Sequence, residues 1–145
     1  MSAALYNSTI LRLATAIPHQ QRLDAPGGTS ERRSPVCGSR VTIDVTLDAQ
    51  GRVSALGQEV RACALGQASA ALMGEHAIGR DLGELTAARD ALSAFLAGTR
   101  DDPGEWPGLE IFAPARPHSA RHASIRLAFE AVVEAAERAA TKIAA

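Results

Sequence analysis

Two cysteines are the side chains in this sequence with the most specific chemistry. Cys37 stands in the run Ser-Pro-Val-Cys-Gly-Ser, and Cys63 follows 26 positions later in Arg-Ala-Cys-Ala. Thiolates bind zinc and iron–sulfur clusters, and they are also nucleophiles that can accept sulfur. The spacing alone also permits a plainer interpretation, two unrelated small residues of the core, because Cys is among the most buried residue types.

The flanking segments predict that both thiols lie at the same end of a hairpin. Apolar and polar residues alternate over Val41–Leu47, which predicts a strand, and Asp48–Gly51 has the composition of a turn. Arg52–Ala62 continues as a less regular second strand. Cys37 therefore precedes the first strand of the hairpin, and Cys63 follows the second strand, where a helix is predicted to begin. The dipole at a helix N-terminus favours a thiolate.

The remaining elements follow from periodicity and capping residues. Helical spacing predicts four helices: Ala3–Ile17 stopped by Pro18, Ala64 to Gly74 or Gly79, a helix from the capping box Asp81–Glu84 to Gly98, and a last helix N-capped by Ser119. Pro18–Ser39 and Thr99–Pro117 are predicted to be irregular, although a third strand within Ser30–Val36 is permitted. Because strands and helices are segregated, the predicted class is α+β, a small antiparallel sheet of about three strands with helices packed on one face.

Length and charge exclude several kinds of protein. A chain of 145 residues predicts one domain over residues 1–145. A net charge of −1 and a pI near 6.4 argue against the basic stripe that nucleic acid requires. No apolar run approaches the roughly 18 residues of a membrane span. Two cysteines without a recognisable export signal predict free thiols in the cytoplasm.

A resemblance to a known family rests on three segments. The run from Pro35 to Ala71, PVCGSRVTIDVTLDAQGRVSALGQEVRACALGQASAA, resembles the core of the U-type iron–sulfur cluster assembly scaffolds, namely the NifU N-terminal domain, IscU and SufU. That family carries a PxCGD signature before a strand, and a GC or AC pair before a helix rich in Ser and Ala. The opening segment Leu5–Leu23 resembles the family's first helix and the residues that follow it. Arg121–Ala128 resembles the segment that carries the family's third cysteine. The long interval from Cys63 to Ser124 is similar to the SufU branch.

The resemblance implies a site for a [2Fe–2S] cluster or a zinc ion, held by three cysteines and one aspartate. Cys37 and Cys63 match two of these positions, whereas Ser39 stands at the aspartate position and Ser124 at the third cysteine. Serine is a poor ligand for iron or zinc, because an alkoxide is much harder to form than a thiolate at neutral pH. The resemblance therefore predicts Cys37 and Cys63 as ligands, with Ser39 and Ser124 at the remaining positions.

Two histidines near the last helix are candidates to complete the site. His122 precedes Ser124 by two residues, and His118 lies just upstream. Two thiolates with one or two imidazoles would suit zinc. Two thiolates with two imidazoles are also a known ligand set for a [2Fe–2S] centre. The alternative is that His118 is exposed in a loop and that His122 is solvated at the start of the helix.

The leading functional hypothesis is a non-enzymatic scaffold-like protein of cluster assembly. The resemblance implies a cysteine desulfurase and recipient apoproteins as partners, and a homodimer sharing four cysteines is a variant. Arg32, Arg33 and Arg40 form a basic cluster beside Cys37, which is either a solvated face or part of the surface that meets the desulfurase. The alternatives are an adaptor or regulator that docks the desulfurase without holding a cluster, and a zinc-bound sulfur acceptor.

Overall fold

The structure is a computed structural model that describes residues 5–35 and 38–144. In chain order its elements are α1 (Ser8–Ala14), β1 (Gly28–Arg33), β2 (Arg40–Leu47), β3 (Val53–Arg61), α2 (Ala64–His76), α3 (Leu82–Ala97) and α4 (His122–Ala144). Two 3-10 helices, Leu109–Ala115 and Ser119–Arg121, lie between α3 and α4. This segregated order of strands and helices confirms the predicted α+β class.

The three strands form one antiparallel sheet in the order β1-β2-β3. The predicted hairpin is β2–β3, and Gly51 in its turn has a φ of +78°, a conformation that glycine adopts without strain. The third strand, which the sequence permitted within Ser30–Val36, is β1, and it starts two residues earlier at Gly28. It pairs with β2 and makes β2 the central strand.

Alternation along β2 divides the sheet into two faces. Val41, Ile43 and Val45 are fully buried and point to the face on which α4 packs, here called the inner face. Ile125 and Phe129 of α4 are also fully buried, so this contact forms the centre of the core. The opposite or outer face carries polar side chains, and residues 21–23 cover part of it beside Gly57.

Three helix boundaries differ from those predicted. The first helix was predicted over Ala3–Ile17, but α1 covers only Ser8–Ala14, because the Asn7 carboxamide caps it by accepting from the Ile10 N–H. The predicted stops of α2 at Gly74 or Gly79 are wrong, since α2 ends at His76.

Ser119 as the N-cap of the last helix is also wrong. Residues 119–121 form a 3-10 turn, and α4 begins at His122. By contrast, the predicted capping box of α3 is confirmed: the Asp81 carboxylate accepts from the Glu84 N–H at 2.8 Å, and the Glu84 carboxylate accepts from the Asp81 N–H at 3.1 Å. Within the described residues, no helix combines the length and the apolar composition that a transmembrane span needs.

Candidate functional site

The candidate site lies at the end of the sheet where β1 and β3 finish and β2 begins. Arg33, Arg40 and Arg61 are directly opposite one another across β1, β2 and β3. Residues 34–35 and 38–39, which flank the part of the β1–β2 connection that is not described, therefore lie beside the chain that leaves β3 toward Cys63. The register of the sheet brings the described residues on either side of position 37 and the segment that carries Cys63 to a common end.

Cys63 is the N-cap residue of α2. Its backbone is extended, with φ −66° and ψ 171°, and its side chain makes no capping hydrogen bond. The thiol is free and half-buried, and it packs against the edge of the hydrophobic core. The predicted position of Cys63 at a helix N-terminus is thus confirmed, and the positive end of the α2 dipole lies next to the thiol.

Ser39 and Ser124 meet although 85 positions separate them in the chain. Their hydroxyl oxygens are 3.5 Å apart, and both residues are only 3% exposed. Ser39 precedes β2, whereas Ser124 lies in the first turn of α4. The two positions at which the resemblance implies an aspartate and a cysteine therefore hold a pair of buried hydroxyl groups in mutual contact.

Gly66 explains how α2 comes so close to Ser124. A Cβ atom at position 66 would lie 2.8 Å from the Ala62 Cβ and 3.2 Å from the Ser124 carbonyl oxygen. The first turns of α2 and α4 can therefore approach only because residue 66 has no side chain. This contact places Cys63, three residues before Gly66, at the same edge as the Ser39–Ser124 pair.

Cys37 lies outside the described residues, so its predicted role as a ligand stays a prediction. The loop on either side of it is held by two hydrogen bonds. The Gly38 N–H donates to the Ser34 carbonyl at 3.0 Å, and the Ser34 N–H donates to the Ser39 carbonyl at 2.9 Å. Ser34 is also 3% exposed, and its hydroxyl oxygen has no hydrogen-bond partner among the described residues.

His122 is buried rather than solvated at the helix start. It is 8% exposed, and its Nε2 lies 2.8 Å from the Ala115 carbonyl oxygen and 3.1 Å from that of Arg116. Because a carbonyl accepts, Nε2 carries the proton and only Nδ1 is left to bind a metal. His118 is half-exposed and precedes the second 3-10 helix.

The described donors do not form a metal cage by themselves. Among residues 5–35 and 38–143, no group of three or more His, Cys, Asp or Glu side chains converges. Cys63 supplies one soft donor, and the two serines supply hydroxyl groups. A four-ligand site for a cluster or zinc would therefore need Cys37 and donors from outside this set.

The basic cluster predicted around Cys37 is divided between the two faces of the sheet. Arg32 points to the inner face, where it is 3.7 Å from Glu130 and 3.8 Å from Glu134 of α4. Arg33 and Arg40 point to the outer face and are joined there by Arg61. Arg61 was missed by the sequence reasoning, because only the strand register shows that it lies opposite Arg40.

Of the comparisons with known proteins, the one with solved structures agrees with this architecture. No family profile matches the chain, and no curated protein is significantly similar to it. Among solved structures, a nitrogen-fixing NifU-like protein (N-terminal) from Brucella abortus is 35% identical, with a TM-score of 0.91 over 97% of this chain and 98% of that chain. A structure described as a scaffold protein for iron–sulfur cluster assembly in the SUF system, from Fervidobacterium islandicum, is 19% identical, with a TM-score of 0.85 over 94% of this chain and 99% of that chain. The second likeness is one of fold.

Proposed function

Since the chain belongs to the family of U-type iron–sulfur cluster assembly scaffolds, we propose that it serves cluster assembly as a scaffold-like protein. In this proposal Cys37 and Cys63 are the thiolate ligands for iron, a [2Fe–2S] cluster or zinc. Two observations support it: the Ser39 and Ser124 hydroxyls are in contact, and Cys63 precedes the helix turn that packs on Ser124. The resemblance implies that these are three of the family's four ligand positions.

The implied partners are a cysteine desulfurase and recipient apoproteins, in a non-enzymatic role in the cytoplasm. The U-type family supports these partners, and the free thiol of Cys63 agrees with a reducing compartment. One chain provides only two thiolates. A second copy that shares its own two cysteines would bring the number to the four of an all-cysteine [2Fe–2S] site.

A second candidate function is that of an adaptor that docks the desulfurase without holding a cluster. The contact between the Ser39 and Ser124 hydroxyls favours it, because two of the family's ligand positions here hold groups that bind iron poorly. The fold and its surfaces would then be the functional part of the molecule, and Cys63 would be an ordinary half-buried thiol.

Anaerobic reconstitution with iron, sulfide and a reducing thiol separates the two candidates. For the scaffold we expect stoichiometric iron and a visible charge-transfer spectrum in the wild type, and the loss of both in Cys63→Ala and in Cys37→Ala. Ser93→Ala on α3 is the matched control and should bind as the wild type does. Zinc alone in the wild type would support the zinc-bound sulfur acceptor.

A variant that rebuilds the family's ligand set sharpens this test. Ser39→Asp combined with Ser124→Cys should bind a cluster with a longer lifetime than the wild type, because a carboxylate and a thiolate replace two weak ligands. If the double variant binds a cluster and the wild type binds no metal while remaining folded, the adaptor is the correct function. If neither protein binds metal, the ligand assignment at these four positions is wrong.

A further inference from the structure

Two arginines of the outer face stand directly opposite each other beside Cys63. Arg40 of β2 and Arg61 of β3 are cross-strand partners, so their side chains share one face. Like charges in this arrangement destabilise a sheet. A pair of residues that lowers the stability of the sheet is the kind of feature that marks a functional site.

Neither arginine forms a close ion pair within the part of the chain that the structure describes, although the charge of Arg40 also acts on Glu31 through space. Arg33, the third member of the row, pairs with Glu31 at 2.9 Å, but Arg40 and Arg61 have no ion pair or side-chain hydrogen bond there. Arg61 is exposed and Arg40 is half-buried, so the described residues leave part of each accessible to solvent. Arginine keeps its charge at every physiological pH.

Carboxylates on this face lie farther from Cys63 than the arginines do. Glu31 and Glu59 occupy the next row across the sheet, opposite Thr42, and Glu31 is already bound by Arg33. Cys63 follows Arg61 by two residues along an extended backbone, which corresponds to about 7 Å. The sheet therefore ends in a concentration of positive charge next to a half-buried, free thiol.

We propose that Arg40 and Arg61 bind the carboxylates of a small anionic thiol compound and present its sulfur to Cys63. A guanidinium group matches a carboxylate with two parallel hydrogen bonds, and two arginines suit a compound that carries more than one carboxylate. The distance of about 7 Å from Arg61 to Cys63 along the backbone can be bridged by a small molecule. The inference rests on the proposed function only in taking Cys63 as a reactive thiol.

Thiol–disulfide exchange on the metal-free protein tests this without any cluster. In a Cys37→Ala background the Cys63 thiolate attacks one sulfur of a disulfide. The new bond joins Cys63 to that sulfur, the original S–S bond breaks, and the other half leaves as a thiolate. The probes are oxidised glutathione, which carries several carboxylates, and bis(2-hydroxyethyl) disulfide, which carries none. Mass spectrometry measures the rate of mixed-disulfide formation.

The expected result is a charge-specific effect. Arg40→Gln or Arg61→Gln should slow the reaction with glutathione about threefold, as expected for an exposed ion pair, and leave the rate with the neutral disulfide unchanged. Higher ionic strength should slow only the glutathione reaction. Arg89→Gln on α3, which pairs with Asp90, changes net charge equally and should behave as the parent protein does.

Three results would overturn the inference: equal slowing with both disulfides, equal slowing in Arg89→Gln, or no difference from the parent in either arginine variant. A parent protein that reacts with neither disulfide would overturn it as well, because Cys63 would then be inaccessible. If neither arginine variant differs from the parent, or if the parent reacts with neither disulfide, the arginine pair would instead be a contact for an acidic protein surface. None of these rates depends on cluster binding, so the two proposals fail independently.

Discussion

At the scale of single residues, the carboxylate of Asp44 is completely buried in the outer face of the sheet. Arg22 donates to both of its oxygens, at 2.7 and 3.0 Å, the Thr29 hydroxyl donates at 2.6 Å, and the Leu23 N–H donates at 2.9 Å. These bonds attach residues 22–23, part of the irregular segment before β1, to the central strand. Burial by itself raises the pKa of Asp44, but the four hydrogen bonds outweigh it and hold the pKa below its usual value.

The first prediction concerns acid stability. Because the pKa of Asp44 is lower in the folded protein, its stabilisation is complete above the unfolded value of about 3.9 and is lost as the pH falls through the folded pKa. Asp44→Asn should lower the free energy of unfolding at pH 7 by about 2–3 kcal/mol. It should also weaken the loss of stability below pH 4, as measured by urea unfolding.

Asp90→Asn is the control for Asp44→Asn, because the Asp90 side chain is 65% exposed and pairs with Arg89 at the surface. It should change the free energy of unfolding little. An Asp44→Asn protein with the stability and the acid response of the wild type would show that the Arg22–Asp44 contact does not hold this segment.

At the scale of elements, the approach of α2 to α4 positions the candidate site. Gly66→Ala would insert a Cβ atom 2.8 Å from the Ala62 Cβ, in the first turn of the helix that Cys63 caps. We expect a loss of about 1–3 kcal/mol in the free energy of unfolding, because a closely packed contact must open. Reaction of Cys63 with a neutral alkylating reagent should become faster in the same variant.

Gly83→Ala on α3 is the matched control for Gly66→Ala. A Cβ atom at position 83 would meet only the Asp81 side chain, at 3.4 Å. Alanine is favoured over glycine in a helix, so this variant should be neutral or more stable than the wild type. If Gly66→Ala and Gly83→Ala both stabilise the protein, the close contact between α2 and α4 is not present in solution.

At the scale of the whole molecule, Trp106 attaches the long segment between α3 and α4 to the rest of the protein. It is 4% exposed, its Nε1 donates to the Leu72 carbonyl at 2.9 Å, and its ring meets Phe129 edge-on with centroids 5.3 Å apart. The Arg80 guanidinium lies 4.9 Å from the centre of the Trp106 ring. One side chain therefore contacts α2, α4 and the residues before α3.

Trp106→Phe tests this attachment. The variant keeps an aromatic ring but removes the indole N–H that donates to the Leu72 carbonyl, so we expect the free energy of unfolding to fall by about 1–2 kcal/mol. Urea unfolding followed by circular dichroism measures it, with Tyr6→Phe as a half-buried aromatic control. Equal stability of Trp106→Phe and the wild type would mean that other contacts hold residues 99–121.

The sequence by itself determined the class of the fold and the place of Cys63. Alternation over Val41–Leu47, the turn before Arg52 and the capping box at Asp81 are local signals, and local signals can be read without knowing what packs against them. The resemblance of the Pro35–Ala71 run to the U-type family identified the family correctly. The assignment of Cys37, Cys63, His122, Ser124 and Ser39 to a metal site stays a prediction, and so does the single domain over residues 1–145.

Only the tertiary structure decided which residues meet. The contact between Ser39 and Ser124 joins positions 85 apart, and the row of Arg33, Arg40 and Arg61 depends on a strand register. A shift of one residue would turn these arginines to the other face. The start of α4 at His122 rather than at Ser119 follows from the 3-10 turn before it, which no local residue preference specified. Such contacts arise from packing between distant segments, and a single sequence carries no local record of them.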